Sequence, residues 1–174
     1  MFRLLKFLCI FTISFFCFPI DGHTKDKVFK KINPTFLSNI PILDKSNQMI
    51  KTHNLFLKDE TKIINFWATW CIPCKKELPE LEKIREKING KKIKIYIISI
   101  DKKKIDEQFK FLKNNKIFNL IPLFDKKMNF FNSLNLRGIP TTIVLNREGY
   151  VIAKHEGILK SEVDLINEIL DFIN

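Results

Sequence analysis

Two cysteines separated by two residues form the part of this sequence best suited to chemistry. Cys71 and Cys74 enclose Ile72 and Pro73, and an apolar run over 62–68 comes shortly before them. Because proline is tolerated in the first turn of a helix, the pattern predicts that Cys71 lies where a strand ends and a helix begins. The unpaired N–H groups of a helix N-terminus favour a thiolate, which is the reactive form in disulfide exchange. A stabilised thiolate is also a good leaving group when the second cysteine attacks a mixed disulfide.

Two other interpretations of the cysteine pair stay open. One C-x-x-C supplies half of a zinc site, and His23, His53 and His155 are widely separated single residues rather than a ligand pair. A buried pair of free thiols is the other interpretation. Redox chemistry is favoured over both, because strand, cysteine, proline and helix occur in the order of a redox motif.

Composition excludes several other classes of protein. Of the 174 residues, 45% are hydrophobic and 28% are charged, which indicates one globular domain rather than a disordered chain. The net charge of +11 comes mainly from lysines that are spread along the chain. Nucleic-acid-binding surfaces usually cluster their basic residues and use arginine, so no nucleic-acid partner is expected.

Residues 1–22 have the pattern of a secretory signal peptide or an N-terminal membrane anchor. Arg3 and Lys6 precede a charge-free apolar run over 7–20. This run is shorter than the roughly 20 residues of a transmembrane helix, and no small-residue cleavage site is evident, so cleavage and retention both stay open. The other two cysteines of the chain lie inside the run. An exported chain without this segment therefore keeps only the C-x-x-C pair.

The rest of the chain is predicted to consist of a linker and one domain. Residues 23–39 are rich in lysine and are interrupted at Asn33-Pro34, which is typical of an extended linker. Residues 40–174 carry the apolar patterning of a folded domain.

Within that domain, the patterns predict a small hairpin and then alternating strands and helices. The almost uninterrupted apolar run Ile93–Ile100 indicates a buried central strand. The predicted elements are a hairpin over 40–51, strands at 62–68, 93–100, 122–124, 141–145 and 150–154, and helices at 73–89, 104–114, 128–134 and 161–173. This order predicts an α/β fold with a central mixed sheet that is flanked by helices and ends in an antiparallel hairpin.

Two longer motifs surround these elements. The first is NFWATWCIPCKKELP at 65–79 and the second is RGIPTT at 137–142. Together they resemble the signatures of thioredoxin-like proteins, in particular the exported TlpA/ResA/CcmG type of thiol-disulfide oxidoreductase. The resemblance covers the chain from about Asp44 and implies a thioredoxin fold with an N-terminal β extension and an α-β insertion. It also implies a cis Ile139–Pro140 bond that faces the cysteines, with the Ile139 backbone pairing with an extended substrate.

The resemblance identifies further site residues. Thioredoxins have a buried aspartate at the position of Asn65, whereas the exported type has a glutamate at the position of Glu77. The Glu77 carboxylate would accept the proton of Cys74, and burial would raise its pKa. The alternative is a glutamate that only stabilises the helix dipole. Trp70, next to Cys71, is expected to line an apolar docking surface for substrate.

The implied function is the reduction of protein disulfides in the periplasm, without a cofactor or metal, by a monomer that residues 1–22 export or anchor to the inner membrane. The implied substrates are an apocytochrome, during cytochrome c maturation, or a protein that assembles the copper centre of a respiratory oxidase. A membrane thiol reductant would return the electrons. Two alternatives stay open: a Cu(I) metallochaperone that binds copper through Cys71 and Cys74, and a dithiol oxidase that donates disulfides.

Overall fold

The computed structural model describes residues 27–56, 59–159 and 162–172. The predicted signal peptide or membrane anchor, residues 1–22, lies outside these ranges. Among the described residues, no helix combines the length and the apolar character that a membrane crossing requires.

Strands and helices alternate along most of the described chain. They are β1 (Lys30–Phe36), β2 (Pro41–Leu43), β3 (Met49–Lys51), α1 (Thr52–Phe56), β4 (Thr61–Trp67), α2 (Ile72–Lys87), β5 (Ile93–Ser99), α3 (Ile105–Asn114), β6 (Ile121–Phe124), α4 (Asn129–Ser133), β7 (Thr141–Leu145), β8 (Tyr150–Glu156) and α5 (Glu162–Asp171). The short helix α1 has no counterpart among the elements that the sequence predicts.

All eight strands join one mixed sheet in the order β1-β8-β7-β4-β5-β6-β2-β3. Strands β4, β5 and β6 are parallel, whereas β7 is antiparallel to both β4 and β8. Every residue of β4 is buried, as expected for a strand with helices on both faces. The prediction of an α/β thioredoxin fold with a central mixed sheet is confirmed, and α3 with β6 forms the α-β insertion.

The N-terminal segment differs from the prediction. Residues 23–39 were expected to form a linker, but β1 lies within them and pairs with β8 as an edge strand. Its register shifts between Lys31 and Thr35, and Pro34 lies in that interval. Proline cannot donate to a strand ladder and is tolerated at edges and bulges. The proline therefore marks an irregular edge strand here rather than a linker.

Aromatic packing fixes the strand that leads to the cysteines. Phe66 contacts the rings of Phe130 and Phe131 in α4 on one side of the sheet. The next residue, Trp67, is fully buried and stacks on Phe111 of α3 at 5.5 Å between ring centroids. Successive strand residues face opposite sides of a sheet, so these contacts hold the end of β4 from both sides.

Candidate active site

Cys71 and Cys74 form a disulfide at the start of α2. Cys71 is the N-cap residue of this helix, and its Sγ accepts a hydrogen bond of 3.2 Å from the Cys74 N–H. Cys74 is fully buried, whereas 4% of Cys71 is exposed. Cys71 is therefore the more accessible cysteine and the better placed to meet another protein. The backbone donor at its sulfur favours a thiolate when the disulfide is reduced.

A buried aspartate holds the loop that leads to the cysteines. Asp101 follows β5, and its carboxylate accepts hydrogen bonds from the backbone N–H of Thr69, at 3.0 Å, and from the Thr69 hydroxyl. Burial favours the neutral acid, but these bonds and one from the Lys103 N–H outweigh it and hold the Asp101 pKa below its ordinary value. Because β4 and β5 are parallel, their carboxyl ends meet at one edge. Asp101 thereby fixes the loop that carries Trp70 and Cys71.

Glu77 lies one helical turn after Cys74 and is only 2% exposed. Its Oε2 accepts a hydrogen bond of 2.8 Å from Asn65 Nδ2, and its Oε1 accepts one of 2.9 Å from the backbone N–H of Leu159. Burial raises the Glu77 pKa, while the two donors and the nearby charge of His155 oppose that rise. Both oxygens bond groups outside α2, which argues against a carboxylate that serves only the helix dipole.

The Asn65 amide links Glu77 to the sheet. Its Nδ2 donates both to Glu77 and to the Thr142 hydroxyl at 2.9 Å, and its Oδ1 is buried without a partner. A protonated carboxyl needs an acceptor instead of a donor. If the amide turns over, Oδ1 can accept from a protonated Glu77, and the Thr142 hydroxyl can rotate to donate. The hydrogen bond between Asn65 and Glu77 can therefore form in either protonation state of Glu77.

The Ile139–Pro140 peptide bond is cis. Strand β7 begins at the next residue, Thr141, which is the register partner of Phe66 near the end of β4. Pro140 consequently lies at the same sheet edge as the loop that carries Cys71. The Pro140 carbonyl accepts a hydrogen bond of 2.9 Å from the Gly157 N–H. Pairing of the Ile139 backbone with a substrate stays a prediction.

Two large apolar side chains flank Cys71 on the surface. Trp70 is 61% exposed and Ile72 is 68% exposed. The predicted docking role of Trp70 is untested, but its exposure meets the first requirement of that role. Ile72 is at least as exposed as Trp70. The sequence gives no indication of this exposure, because an apolar residue between two cysteines can be buried or exposed.

Several contacts of the site carry no local sequence signal. Thr142, His155 and the segment 157–159 meet Asn65 and Glu77 only through the sheet register and the return of the chain after β8. The contact between Glu77 and Leu159 joins residues 82 positions apart. Only the preference of buried carboxylates for hydrogen-bond donors could have indicated that such partners exist.

The structure describes two of the three histidines that the zinc interpretation invoked, and His23 lies outside the described residues. Within the described ranges, no three or more His, Cys, Asp or Glu residues are grouped as metal ligands.

Similarity to known proteins was found at three levels. The family profile described as Redoxin matches residues 27–170. The thiol-disulfide oxidoreductase ResA of Halalkalibacterium halodurans is 25% identical over 117 residues, which cover 67% of this chain and 64% of that relative. Thioredoxin 2 of Plasmodium berghei is 29% identical over 167 residues, covering 88% of this chain and 89% of that protein.

A solved structure shares the fold. The crystal structure of a thiol:disulfide interchange protein of the thioredoxin family from Chlorobium tepidum matches with a TM-score of 0.67 and 20% identity, covering 83% of this chain and 100% of that one. These matches confirm the resemblance that the two motifs indicated. The ResA alignment spans slightly less than two thirds of the relative, so the activity of the whole relative does not transfer directly.

Proposed function

The chain belongs to the Redoxin family, and from that membership we propose that it is a thiol–disulfide oxidoreductase whose cysteine pair reduces disulfides in other proteins. The observation that carries the proposal is the buried carboxyl of Glu77, one turn after Cys74, beside a disulfide at a helix N-terminus. A cysteine pair alone is compatible with metal binding. A buried carboxyl one helical turn after the less accessible cysteine has a use in disulfide exchange as a proton acceptor.

The reaction begins with the reduced protein. The Cys71 thiolate attacks one sulfur of the substrate disulfide, forms a mixed disulfide and releases the other substrate sulfur as a thiolate, which takes up a proton. The Cys74 thiol passes its proton to the Glu77 carboxylate and attacks Cys71 Sγ. This step breaks the bond to the substrate and forms the Cys71–Cys74 disulfide seen here. The second substrate sulfur leaves as a thiolate and takes up a proton from Glu77. Two electrons have then moved from the protein to the substrate, whose two new thiols hold one proton from Cys74, passed on by Glu77, and one from solvent.

Each residue of the site has a part in this scheme. The helix N-terminus stabilises the Cys71 thiolate, and Asp101 fixes the loop before it. Exposed Trp70 and Ile72 would contact apolar groups of the substrate, while the Ile139 backbone beside Pro140 would pair with its extended chain.

The substrate and the compartment are finer parts of the proposal. We infer an exported, periplasmic protein, because residues 1–22 have the composition of a signal or inner-membrane anchor. The substrates would be an apocytochrome c or a copper-centre assembly protein, and a membrane thiol reductant would restore the dithiol. The names of the ResA relatives support the reaction class, whereas these partners come from the motif resemblance.

A matched pair of cysteine variants tests the reaction. Wild type should reduce insulin in the presence of dithiothreitol. Cys71→Ser should show no rate above the background of the reductant, and Cys74→Ser should accumulate a mixed disulfide that can be isolated and identified. Equal insulin reduction by wild type and Cys71→Ser would overturn the proposal.

The reduction potential distinguishes a reductase from an oxidase. A value near or below about −270 mV is expected for a reductant, and one near about −120 mV would indicate a disulfide donor instead. Equilibration of the Cys71–Cys74 pair with glutathione or dithiothreitol buffers measures it. The copper alternative predicts stoichiometric Cu(I) that survives competition with a chelator, and nothing in the described geometry favours it over disulfide exchange.

A further inference from the structure

One peptide group lies between the imidazole ring of His155 and the carboxylate of Glu77, the proposed proton acceptor. His155 Nε2 is 3.3 Å from the carbonyl oxygen of Ile158. The N–H of the same peptide unit belongs to Leu159 and donates to Glu77 Oε1 at 2.9 Å. Because a peptide unit is planar and conjugated, its N–H becomes a stronger donor when its carbonyl accepts a hydrogen bond. His155 and Glu77 are therefore connected through the Ile158–Leu159 peptide.

The sheet register places His155 on the side of the sheet that carries the site. Asn65 is the register partner of Thr142, and Thr142 is the register partner of His155. Directly opposed residues of antiparallel strands face the same side of a sheet. Asn65 contacts Glu77, so the row of three side chains across β4, β7 and β8 lies on the face that α2 covers.

Both nitrogens of the His155 ring face groups that can only accept. Nδ1 is 2.7 Å from the carbonyl oxygen of Val28, and Nε2 is directed at the carbonyl oxygen of Ile158. A neutral imidazole carries one N–H and can satisfy one of these oxygens, whereas the imidazolium carries two. The imidazolium can therefore donate to both carbonyl oxygens, whereas a neutral ring can donate to only one of them.

Other charged groups lie around the ring. Glu168 of α5 accepts the backbone N–H groups of Val28 and Phe29, so a second carboxylate faces the same N-terminal segment. The adjacent Lys154 and Glu156 of β8 pair with each other at 3.0 Å. Three lysines of the N-terminal segment, at positions 27, 30 and 31, line the same surface pocket as His155. From α2 the ionisable groups are Glu77 itself and, after reduction, the two cysteines. Among the described residues, Glu77 is the carboxyl that the Ile158–Leu159 peptide joins to the ring.

We propose that His155 is a positioning residue for the proton transfer from Cys74 to Glu77, acting through the Ile158–Leu159 peptide. This inference rests on the proposed disulfide-exchange function. In its charged form, the ring donates to Ile158 O, strengthens the bond from Leu159 N–H to Glu77 Oε1 and supports the ionised carboxylate that must accept the proton. The charge of His155 is among the influences that keep the Glu77 pKa lower than burial alone would set it.

The first experiment measures the resolution of a mixed disulfide in His155→Gln as a function of pH. The mixed disulfide is preformed between Cys71 and a cysteine peptide, and the release of the peptide is followed. Loss of the charge should move the inflection of the rate to higher pH by about 0.5 to 1 unit, with a rate about three- to tenfold lower on the acid side. His53→Gln is the matched control, because His53 contacts the ring of Phe36 in β1, away from this relay, and should leave the profile unchanged.

The second experiment separates positioning from a general structural role. In a Glu77→Gln background, adding His155→Gln should change the resolution rate by less than about twofold, because the group through which His155 acts is gone. A full additional three- to tenfold loss in that background would overturn the proposal, as would an unshifted profile of His155→Gln alone. If wild type itself fails to release the peptide, the proposed function is at fault rather than the role of His155.

A third measurement leaves His155 intact, so that poor folding of its variants cannot obscure the result. Coupling between two ionisable groups is reciprocal. In Glu77→Gln, the titration of the His155 ring, followed by nitrogen-15 NMR of the full chain, should move to lower pH than in wild type, while that of His53 stays in place. Identical His155 titrations in the two proteins would contradict the coupling.

Discussion

Helix α2 carries two buried glutamates, five residues apart, in different surroundings. Glu77 is 2% exposed and receives two donors, from Asn65 and from Leu159. Glu82 is 6% exposed and receives four, from the backbone N–H groups of 118–120 and from the Asn119 side chain. One carboxylate lies one helical turn after Cys74, and the other holds the chain between α3 and β6.

The number of donors determines what a buried carboxylate can do. Four N–H groups around Glu82 use its acceptor capacity to hold the chain between α3 and β6. With only two donors, the Glu77 carboxylate is less compensated, and burial raises its pKa. If the Asn65 amide turns over, its Oδ1 can accept from the protonated form. The comparison therefore supports the proposed exchange of a proton at Glu77, whereas Glu82 attaches the α-β insertion to α2.

The largest expected effect is on the rate of mixed-disulfide resolution. Glu77→Gln removes the proposed proton acceptor and should slow this step at neutral pH by about 100-fold, the lower end of the range for general acid–base catalysis. Glu82→Gln should change the rate by less than about threefold. Single-turnover release of a peptide thiol measures both rates. Equal losses of rate in the two variants would contradict the difference proposed between Glu77 and Glu82.

The same two substitutions should affect stability in the opposite order, with the larger loss in Glu82→Gln. Glu82→Gln places an NH₂ group against the Leu120 N–H and weakens three charge-assisted bonds, so it should lower the free energy of unfolding by about 2 kcal/mol. Glu77→Gln should cost less, because a turned Asn65 amide can accept from the new NH₂ group. Urea unfolding of the oxidised proteins at neutral pH compares the two variants. A Glu77→Gln protein that is less stable than Glu82→Gln would be inconsistent with these assignments.

The raised pKa of Glu77 makes stability depend on pH in a defined direction. Between the ordinary value of 4.5 and the higher folded-state pKa, the folded protein binds more protons at this residue than the unfolded chain does. Stability from this group is therefore fully present below the ordinary value and is lost as pH rises through the folded-state pKa. The free energy of unfolding of wild type relative to Glu77→Gln should decrease over that window. An increase across the same window would show that the pKa is lowered instead.

The smallest effect is expected at the second hydrogen bond of Asn65. Thr142→Val removes the hydroxyl that accepts from Asn65 Nδ2 and should cost about 1 kcal/mol, with a two- to threefold slower resolution. Thr61→Val is the matched control, because the Thr61 hydroxyl is buried without a partner. That substitution should leave stability and rate nearly unchanged, and an equal loss in both variants would mean that the Asn65 contact has no special role.

The sequence predicts the strands and helices around the site well because their signals are local. Compact apolar runs predict β4 and β5, apolar residues at helical spacing predict α2, and the Cys-Ile-Pro-Cys order predicts that the pair lies between a strand and a helix. The edge strand β1 was mistaken for a linker, since its lysines and Pro34 resemble those of an irregular segment and its partner β8 lies more than 100 residues later.

The site was predictable only in part, for a related reason. The cysteines belong to a local motif, and the motif resemblance supplied Glu77 and Pro140. The partners of Glu77 depend on the register of β4, β7 and β8 and on the return of 157–159 toward α2. No pattern within a short window encodes that register, so the sequence shows His155 only as an isolated histidine.

The most direct test of the account is the pH dependence of mixed-disulfide resolution in wild type and in Glu77→Gln. If Glu77 accepts the proton of Cys74, the wild-type rate rises as Glu77 ionises and then levels off, because the acceptor is fully charged. The Glu77→Gln rate should be lower and should rise about tenfold per pH unit with the thiolate fraction of Cys74. A wild-type profile with the same slope throughout, parallel to that of Glu77→Gln, would show that Glu77 is not the proton acceptor.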